Sequence, residues 1–122
     1  MNETRLGLVE AHFADIVWEN APLPTRALVA ICEKELNWKR TTTYTVLRKL
    51  CQRGIFCMDD RRVTVLIPKE KFRAMQSEQF VQENFQGSLP AFVAAFTSQK
   101  PLSKDEYLRL KALVDSYEEE PK

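Results

Sequence analysis

The chain has 122 residues, which is enough for one domain or for a domain with an appendage. Its composition, 44% hydrophobic and 29% charged, is that of a soluble globular protein, and no apolar run reaches the roughly 18 residues that a membrane span needs. The net charge of +1 does not by itself indicate nucleic-acid binding. Because the N-terminus lacks a basic stretch followed by an apolar block, we expect a cytoplasmic protein.

Two helices are predicted in the first third of the chain. Apolar residues recur at three- and four-residue spacing from about residue 4 to residue 20, which predicts the first helix. The prolines of segment 21–24 break this helix. Thr25 is a suitable N-cap for a second helix, which we expect to end near Leu36.

A third helix is predicted from about residue 40 to residue 52, after a turn at Asn37-Trp38 and before Gly54, where a helix commonly ends. At 100° per residue one face of this helix is apolar, and the opposite face carries hydroxyls, a phenol and cations. Such groups contact the phosphates and base edges of DNA. An ordinary amphipathic surface helix would show the same pattern, so the neighbouring segments decide between the two interpretations.

After the third helix the sequence becomes β-prone. Residues 55–58 are β-prone and residues 63–67 are apolar and β-branched, and the two segments flank a polar, turn-like segment with Arg61 and Arg62 at its tip. This pattern predicts a β-hairpin. Three helices followed by a hairpin is the order of a winged helix-turn-helix domain. We therefore predict an α+β fold, mostly α, with the winged-helix domain over residues 1–68.

Charge is distributed unevenly along the chain. Segment 37–62 holds seven cations and two anions, whereas residues 69–122 hold eight cations and nine anions. A local basic patch on a protein of little net charge favours DNA binding, although a solvated face can also be basic. We predict DNA contacts on the third helix, its flanks and the hairpin tip. They are Lys39, Arg40, Thr41, Thr42, Tyr44, Thr45, Arg48, Lys49, Arg53, Arg61 and Arg62.

The C-terminal third, residues 69–122, gives no strand signal, and its apolar spacing predicts three more helices, the last opened by a Ser103–Glu106 capping box. This region is too small to fold on its own core, yet it holds five of the seven phenylalanines. We expect two copies to cover each other's apolar faces across a two-fold axis; folding back onto the same chain is the alternative. The predicted dimer contacts are Phe80, Phe85, Leu89, Phe92, Val93, Phe96, Leu110, Leu113, Val114 and Tyr117.

Catalysis is not indicated by the sequence. The three cysteines form no C-x-x-C pair and are expected to be free thiols, and His12 is the only histidine. Without a glycine-rich phosphate loop or paired carboxylates on one helix face, we expect no enzyme activity, cofactor or metal. A winged-helix module that binds another protein is the alternative to DNA binding, because the net charge is small and the hairpin tip has no glycine.

Several short motifs, in their order and spacing, resemble a known family. They are Leu6, Glu10 and Trp18; Asn37, Trp38, Thr42, Thr45, Leu47, Leu50 and Gly54; Arg62, Val63, Val65 and Pro68; Phe85, Gly87, Ser88 and Leu89; and Leu102, Ser103 and Glu106. The family is the penicillinase-repressor and methicillin-resistance-repressor type of bacterial transcriptional regulators. The resemblance implies a homodimeric repressor of resistance or stress genes, which binds a palindromic operator in double-stranded DNA through a winged helix.

The same resemblance implies a partner and a route of induction. In the antibiotic-responsive members a membrane sensor protease triggers cleavage in the short apolar helix, and the matching bond here joins Ala95 to Phe96. The chain departs from the family pattern at Ala95, which is usually Asn, at Arg61, which is usually Gly, and at Leu66, which is usually Tyr.

Overall fold

A computed structural model describes residues 4–117 of the chain. Over these residues the helices and strands follow the order of a winged helix with a helical extension. They are α1 (Leu8–Asn20), β1 (Leu23–Pro24), α2 (Thr25–Leu36), α3 (Arg40–Gln52), β2 (Phe56–Asp59), β3 (Arg62–Val65), α4 (Lys69–Phe85), α5 (Leu89–Gln99) and α6 (Lys104–Ser116). The predicted fold class, mostly α with a small antiparallel sheet, is confirmed. No helix of the described part of the chain is long and apolar enough to cross a membrane.

The chain divides into two compact units, residues 1–79 and residues 80–122, with the division inside α4. The first unit contains the buried core, to which α1, α2, α3, the three strands and Phe72 of α4 all contribute side chains. Trp18 closes one side of this core: its ring lies 5.5 Å from both Phe56 and Phe72, and its indole N–H donates to the Ile67 carbonyl over 3.0 Å.

The first helix begins at Leu8, so the prediction that it starts near residue 4 was wrong. Gly7 occupies the N-cap position with an extended backbone, and the Glu10 carboxylate accepts a hydrogen bond from the Gly7 N–H over 3.1 Å. The Gly7–Glu10 hydrogen bond gives the Gly7 N–H an acceptor that the backbone of the helix does not supply. This bond therefore fixes the first turn of the helix at Leu8.

The residues before Gly7 form an N-terminal anchor, Thr4 to Leu6. Thr4 is buried, its N–H and hydroxyl both bond to the Gln79 side-chain oxygen, and its carbonyl accepts from the Gln76 amide over 3.0 Å. The Arg5 carbonyl accepts from the Arg53 guanidinium over 2.8 Å. The anchor therefore joins the part of α4 around Gln76 and Gln79 to the C-terminal end of α3.

The sheet has the strand order β1-β3-β2, and both pairings are antiparallel. Strand β1 was not predicted, because two residues that include Pro24 give no period-2 signal. It pairs Leu23 with Val63, and the Thr25 N–H donates to the Arg61 carbonyl over 2.9 Å. The start of α2 is thereby attached to the hairpin.

The hairpin between β2 and β3 turns through Asp60 and Arg61, whose φ angles are +50° and +60°. Two central residues with positive φ make a type I′ turn, whose twist matches that of the strands. At the other end, the Leu66 and Ile67 N–H groups both donate to the Ile55 carbonyl. The pairing therefore extends beyond the regular ladder, which explains why the predicted strands differ from the observed ones by one or two residues at their ends.

The second unit contains the end of α4 with α5 and α6, and each of the last two helices begins at a serine N-cap. The Ser88 hydroxyl accepts from the Ala91 N–H, and Ser103 forms the predicted capping box with Glu106. Four phenylalanines form a chain of ring contacts 5.4 to 6.3 Å apart. They are Phe80, Phe85, Phe92 and Phe96. No residue of α5 or α6 is buried.

Candidate nucleic-acid interface

Helix α3 occupies the predicted span, Arg40–Gln52, and its inner face holds it against the core. Leu47 and Leu50 are fully buried. Thr43 is also buried, and its hydroxyl lies 3.5 Å from the Lys39 carbonyl in the preceding turn. Asn37, with φ of +56°, ends α2 in the left-handed conformation and allows the short turn into α3. Packing of the inner face therefore fixes which residues α3 presents outward.

The outer face of α3 brings together five of the side chains predicted to contact DNA. A shallow groove of about 350 Å³ lies along this face, lined by Arg40, Thr41, Tyr44, Thr45 and Arg48. The Arg40 guanidinium lies over the Tyr44 ring, 5.6 Å from its centroid, a cation–π arrangement that restrains both side chains. The Thr45 hydroxyl donates to the Thr41 carbonyl over 2.9 Å, which leaves its methyl group directed away from that bond.

The predicted DNA contacts at the start of α3 are also exposed. Lys39 is the N-cap of α3, and Lys39, Arg40 and Thr42 all lie on the surface. No side chain of the described residues caps this helix end, so its first N–H groups face outward. A helix N-terminus with adjacent cations is a favourable position for an anion.

Two of the predicted cations are bound within the protein. The Lys49 ammonium lies 2.6 Å from the Glu10 carboxylate of α1. The Lys49 hydrogen bond, with that of the Gly7 N–H, lowers the pKa of Glu10 below its ordinary value of 4.5. Arg53 donates to the Arg5 carbonyl in the N-terminal anchor. Both side chains therefore already have intramolecular partners on the flank of α3 that faces α1 and the N-terminal anchor.

The hairpin tip places Arg61 and Arg62 on the surface but in different surroundings. Arg62 is the first residue of β3 and pairs with Asp59 across the hairpin. Arg61 instead lines a cleft of about 610 Å³ between the hairpin tip, α2 and α3. The residues that line this cleft, here named the arginine cleft, are Pro24, Thr25, Arg26, Arg40, Tyr44 and Arg61.

Thr25 and Arg26 are interface candidates that the sequence reasoning missed. A usable signal was present, because a cation in the first turn of a helix opposes the helix dipole and so calls for another explanation. The Thr25 side chain beside the Tyr44 hydroxyl is the largest of the effects that lower the pKa of Tyr44, and the neighbouring Arg40 and Arg61 guanidinium groups add to it. The phenol therefore lies near two cationic side chains.

The described residues offer little for other kinds of chemistry. Among residues 4–117 no group of three or more His, Cys, Asp or Glu side chains is placed to hold a metal ion. The three cysteines are free; Cys32 is buried, whereas Cys51 and Cys57 are half-buried. Burial raises the pKa of the Cys32 and Cys51 thiols, which keeps them protonated and unreactive near neutral pH.

The predicted dimer residues are exposed or half-buried apolar side chains of the second unit, here together named its apolar surface. Leu113, Val114 and Tyr117 of α6 are 67%, 63% and 78% exposed. Phe80, Leu89 and Phe96 are also exposed, and Phe85, Phe92, Val93 and Leu110 are half-buried. The bond between Ala95 and Phe96 lies in the middle of α5, and both residues are exposed.

Comparison with known families extends the resemblance noted from the motifs. The model described as penicillinase repressor matches residues 6–116, from the N-terminal anchor to the last residue of α6. The match therefore covers the α3 face, the hairpin and the apolar surface of the second unit together. No curated protein matches the chain.

Proposed function

The chain belongs to the penicillinase repressor family, and on that premise we propose that it is a transcriptional repressor that binds a palindromic operator in double-stranded DNA as a homodimer. The observation that supports this most strongly is the outer face of α3, where five polar and cationic side chains line one groove. A helix presented in this way by a winged-helix domain fits the major groove of DNA.

The proposed contacts divide into two kinds. Lys39, Arg40 and Thr42 at the start of α3, together with Arg61 and Arg62 of the hairpin, contact phosphates and fix the position of the domain on the duplex. The side chains assigned to base edges are Thr41, Tyr44, Thr45 and Arg48. Arg48 suits a bidentate contact with guanine, and the free methyl group of Thr45 suits the thymine methyl. Because Lys49 and Arg53 have intramolecular partners, their contribution to DNA binding is expected to be the smallest.

Dimerisation is assigned to the second unit. Its exposed apolar side chains and its chain of phenylalanine rings give an apolar surface of the kind that marks an interaction site. A second copy covers such a surface across a two-fold axis. Two domains related by that axis then read two half-sites about one helical turn apart, or a multiple of it, which is how a small domain obtains enough specificity.

We further propose that a membrane sensor protease triggers cleavage of the repressor between Ala95 and Phe96, which induces the repressed genes. The bond between Ala95 and Phe96 lies inside α5, so the helix must open locally before this bond can enter a protease. Since α5 has no buried side chain, little burial opposes that opening in a single chain. Covering by a second copy would raise the cost, so cleavage is expected to be faster when the dimer dissociates.

DNA binding is tested by fluorescence anisotropy with labelled duplexes from the promoter regions of the chain's own gene and its neighbours. A repressor binds one of these duplexes more tightly than a shuffled duplex of the same length, and its affinity falls steeply with salt. Arg48→Ala is expected to abolish this preference while the dimer stays intact, because Arg48 is exposed and distant in sequence from the apolar surface. Affinity that ignores salt would favour the alternative, a winged helix that binds protein.

Dimerisation is tested by sedimentation equilibrium. Deletion of the chain from Phe85 onward is expected to give a monomer, because it removes most of the apolar surface and keeps the core of the first unit. Leu113→Glu in the full chain is the matched test that keeps the chain length, since Leu113 is exposed and its substitution leaves the core unchanged. A truncated protein that still sediments as a dimer would remove the assignment to the second unit.

A further inference from the structure

The arginine cleft is built by three separate segments that hydrogen bonds hold in place. Strand β1 pairs with β3, and the Thr25 N–H donates to the Arg61 carbonyl, so the start of α2 and the hairpin tip form one wall. The other wall is the first turn of α3, where the Arg40 guanidinium lies over the Tyr44 ring. The cleft is therefore formed by backbone pairing and a ring contact in addition to flexible side chains.

The lining of this cleft is strongly cationic. It carries three guanidinium groups, those of Arg26, Arg40 and Arg61, and within residues 4–117 no carboxylate lines it. None of these three makes a salt bridge to a carboxylate of the described residues. Like charges that line one cleft repel each other, so an anion that enters the cleft is attracted to all three.

The start of α2 adds to the same field. Pro24 is the N-cap of α2 and has no side-chain acceptor, and the Thr25 N–H donates to the Arg61 carbonyl. Among the described residues, no side chain caps the N–H groups that follow Thr25 in the first turn of α2. The partial positive charge of a helix N-terminus attracts anions, and here it lies beside Arg26.

We propose that the arginine cleft binds one phosphodiester group of the DNA backbone, with Arg26 and the N-terminus of α2 as contacts in addition to α3 and the hairpin. This inference rests on the proposed function. DNA is favoured over a free phosphate because Arg40 and Tyr44 line both the cleft and the base-reading groove of α3. A phosphate held in the cleft therefore lies directly beside the face that meets the bases.

The test uses the full chain and a duplex of about 24 base pairs of mixed sequence at low salt, since phosphate contacts do not depend on sequence. Arg26→Gln removes one guanidinium from the cleft, and Arg73→Gln removes one exposed guanidinium from α4 as a matched control. Arg26→Gln is expected to weaken binding about ten-fold, the usual loss for one charge-assisted hydrogen bond. The slope of log K against log salt should also fall by about 0.9 for each bound protomer. Arg73→Gln should bind as the wild type does.

Three results would overturn the proposal, and they differ from one another. If the wild type binds the duplex and Arg26→Gln keeps both its affinity and its salt slope, the cleft holds no DNA phosphate while the proposed function stands. If the wild type binds no duplex at low salt, the proposed function fails as well. If calorimetry shows inorganic phosphate binding to the free wild type but not to Arg26→Gln, with an unchanged DNA salt slope, the ligand of the cleft is a free phosphate.

A loss of DNA affinity in Arg26→Gln is not expected to result from unfolding of the variant. Arg26 is exposed and lies at the N-terminal end of α2, where a cation opposes the helix dipole. The melting temperature of Arg26→Gln is therefore expected to equal or exceed that of the wild type, while its DNA affinity falls.

Discussion

Replacing Arg61 by glycine is expected to stabilise the fold and to weaken DNA binding at the same time. Arg61 has φ of +60° in the type I′ turn of the hairpin, a conformation that costs an L-residue about 1–2 kcal/mol. Glycine adopts it without that cost but loses about 0.5–1 kcal/mol through the greater freedom of the unfolded chain. The central values of these ranges leave a gain of about 0.75 kcal/mol, which corresponds to a rise of about 3 to 6 °C in the melting temperature of a domain of this size.

Arg61→Ala is the matched control, because it removes the same guanidinium but keeps a side chain in the left-handed conformation. Circular dichroism melts at one protein concentration should rank Arg61→Gly above the wild type and Arg61→Ala near or below it. In the duplex titration described above, both variants should lose affinity and salt slope equally, since both lose one cation of the arginine cleft. The reasoning about backbone conformation is refuted if Arg61→Gly melts no higher than Arg61→Ala.

The other predictions concern how the interface is supported. Leu47→Ala, on the buried face of α3, should lower the free energy of unfolding, measured by urea denaturation, by about 2–5 kcal/mol. Arg48→Ala, on the exposed face, should leave it within about 0.5 kcal/mol of the wild type. Equal losses in the two variants would contradict the assignment of the two faces. Trp18→Phe should cost about 1–3 kcal/mol, because the Ile67 carbonyl loses its donor, and an unchanged midpoint would exclude a role for that bond. The pKa of Glu10 is lowered in the folded state, where its carboxylate pairs with the Lys49 ammonium. This pairing therefore stabilises the protein fully at pH values above the ordinary glutamate pKa of 4.5. The stabilisation is lost as the pH falls through the lowered pKa of Glu10 in the folded protein. The stability advantage of the wild type over Glu10→Gln, measured by urea denaturation, should therefore shrink below pH 4.5, and an advantage independent of pH would argue against the ion pair.

The sequence predicted those elements whose signals are local. Helix α3 was predicted at its observed bounds because an amphipathic pattern, a preceding turn and a following glycine agree over one short segment. The capping box at Ser103 was readable for the same reason, since both partners lie within four residues. These features need no knowledge of the rest of the fold.

The start of α1 and strand β1 depend instead on partners elsewhere in the chain. Thr4 is held by Gln76 and Gln79, more than seventy residues away, so periodicity could not separate the N-terminal anchor from the helix that follows it. Strand β1 exists because Leu23 and Pro24 pair with β3. Two residues with a proline are strand only in that context.

The candidate interface likewise has one part that local sequence signals predict and one part that depends on distant segments. The groove of α3 was predictable because one helical period places Thr41, Tyr44 and Arg48 on one face. The arginine cleft was not, because Arg26, Arg40 and Arg61 come from three segments that only the β1–β3 pairing brings together. Nor could the sequence show that Lys49 is held by a carboxylate of α1.

The N-terminal anchor has a consequence for how the protein opens locally. Thr4 bonds to α4, and Arg5 bonds to Arg53, the residue that follows α3, so the segment cannot leave its place without breaking contacts to both. Hydrogen exchange proceeds through such cooperative openings, in which linked segments lose protection together. The Thr4 amide is therefore expected to exchange with the amides around Gln76, as part of one foldon, although seventy residues of chain separate them. Opening of the N-terminal anchor and loosening of α4 around Gln76 and Gln79 would then be a single event, which also releases the last turn of α3.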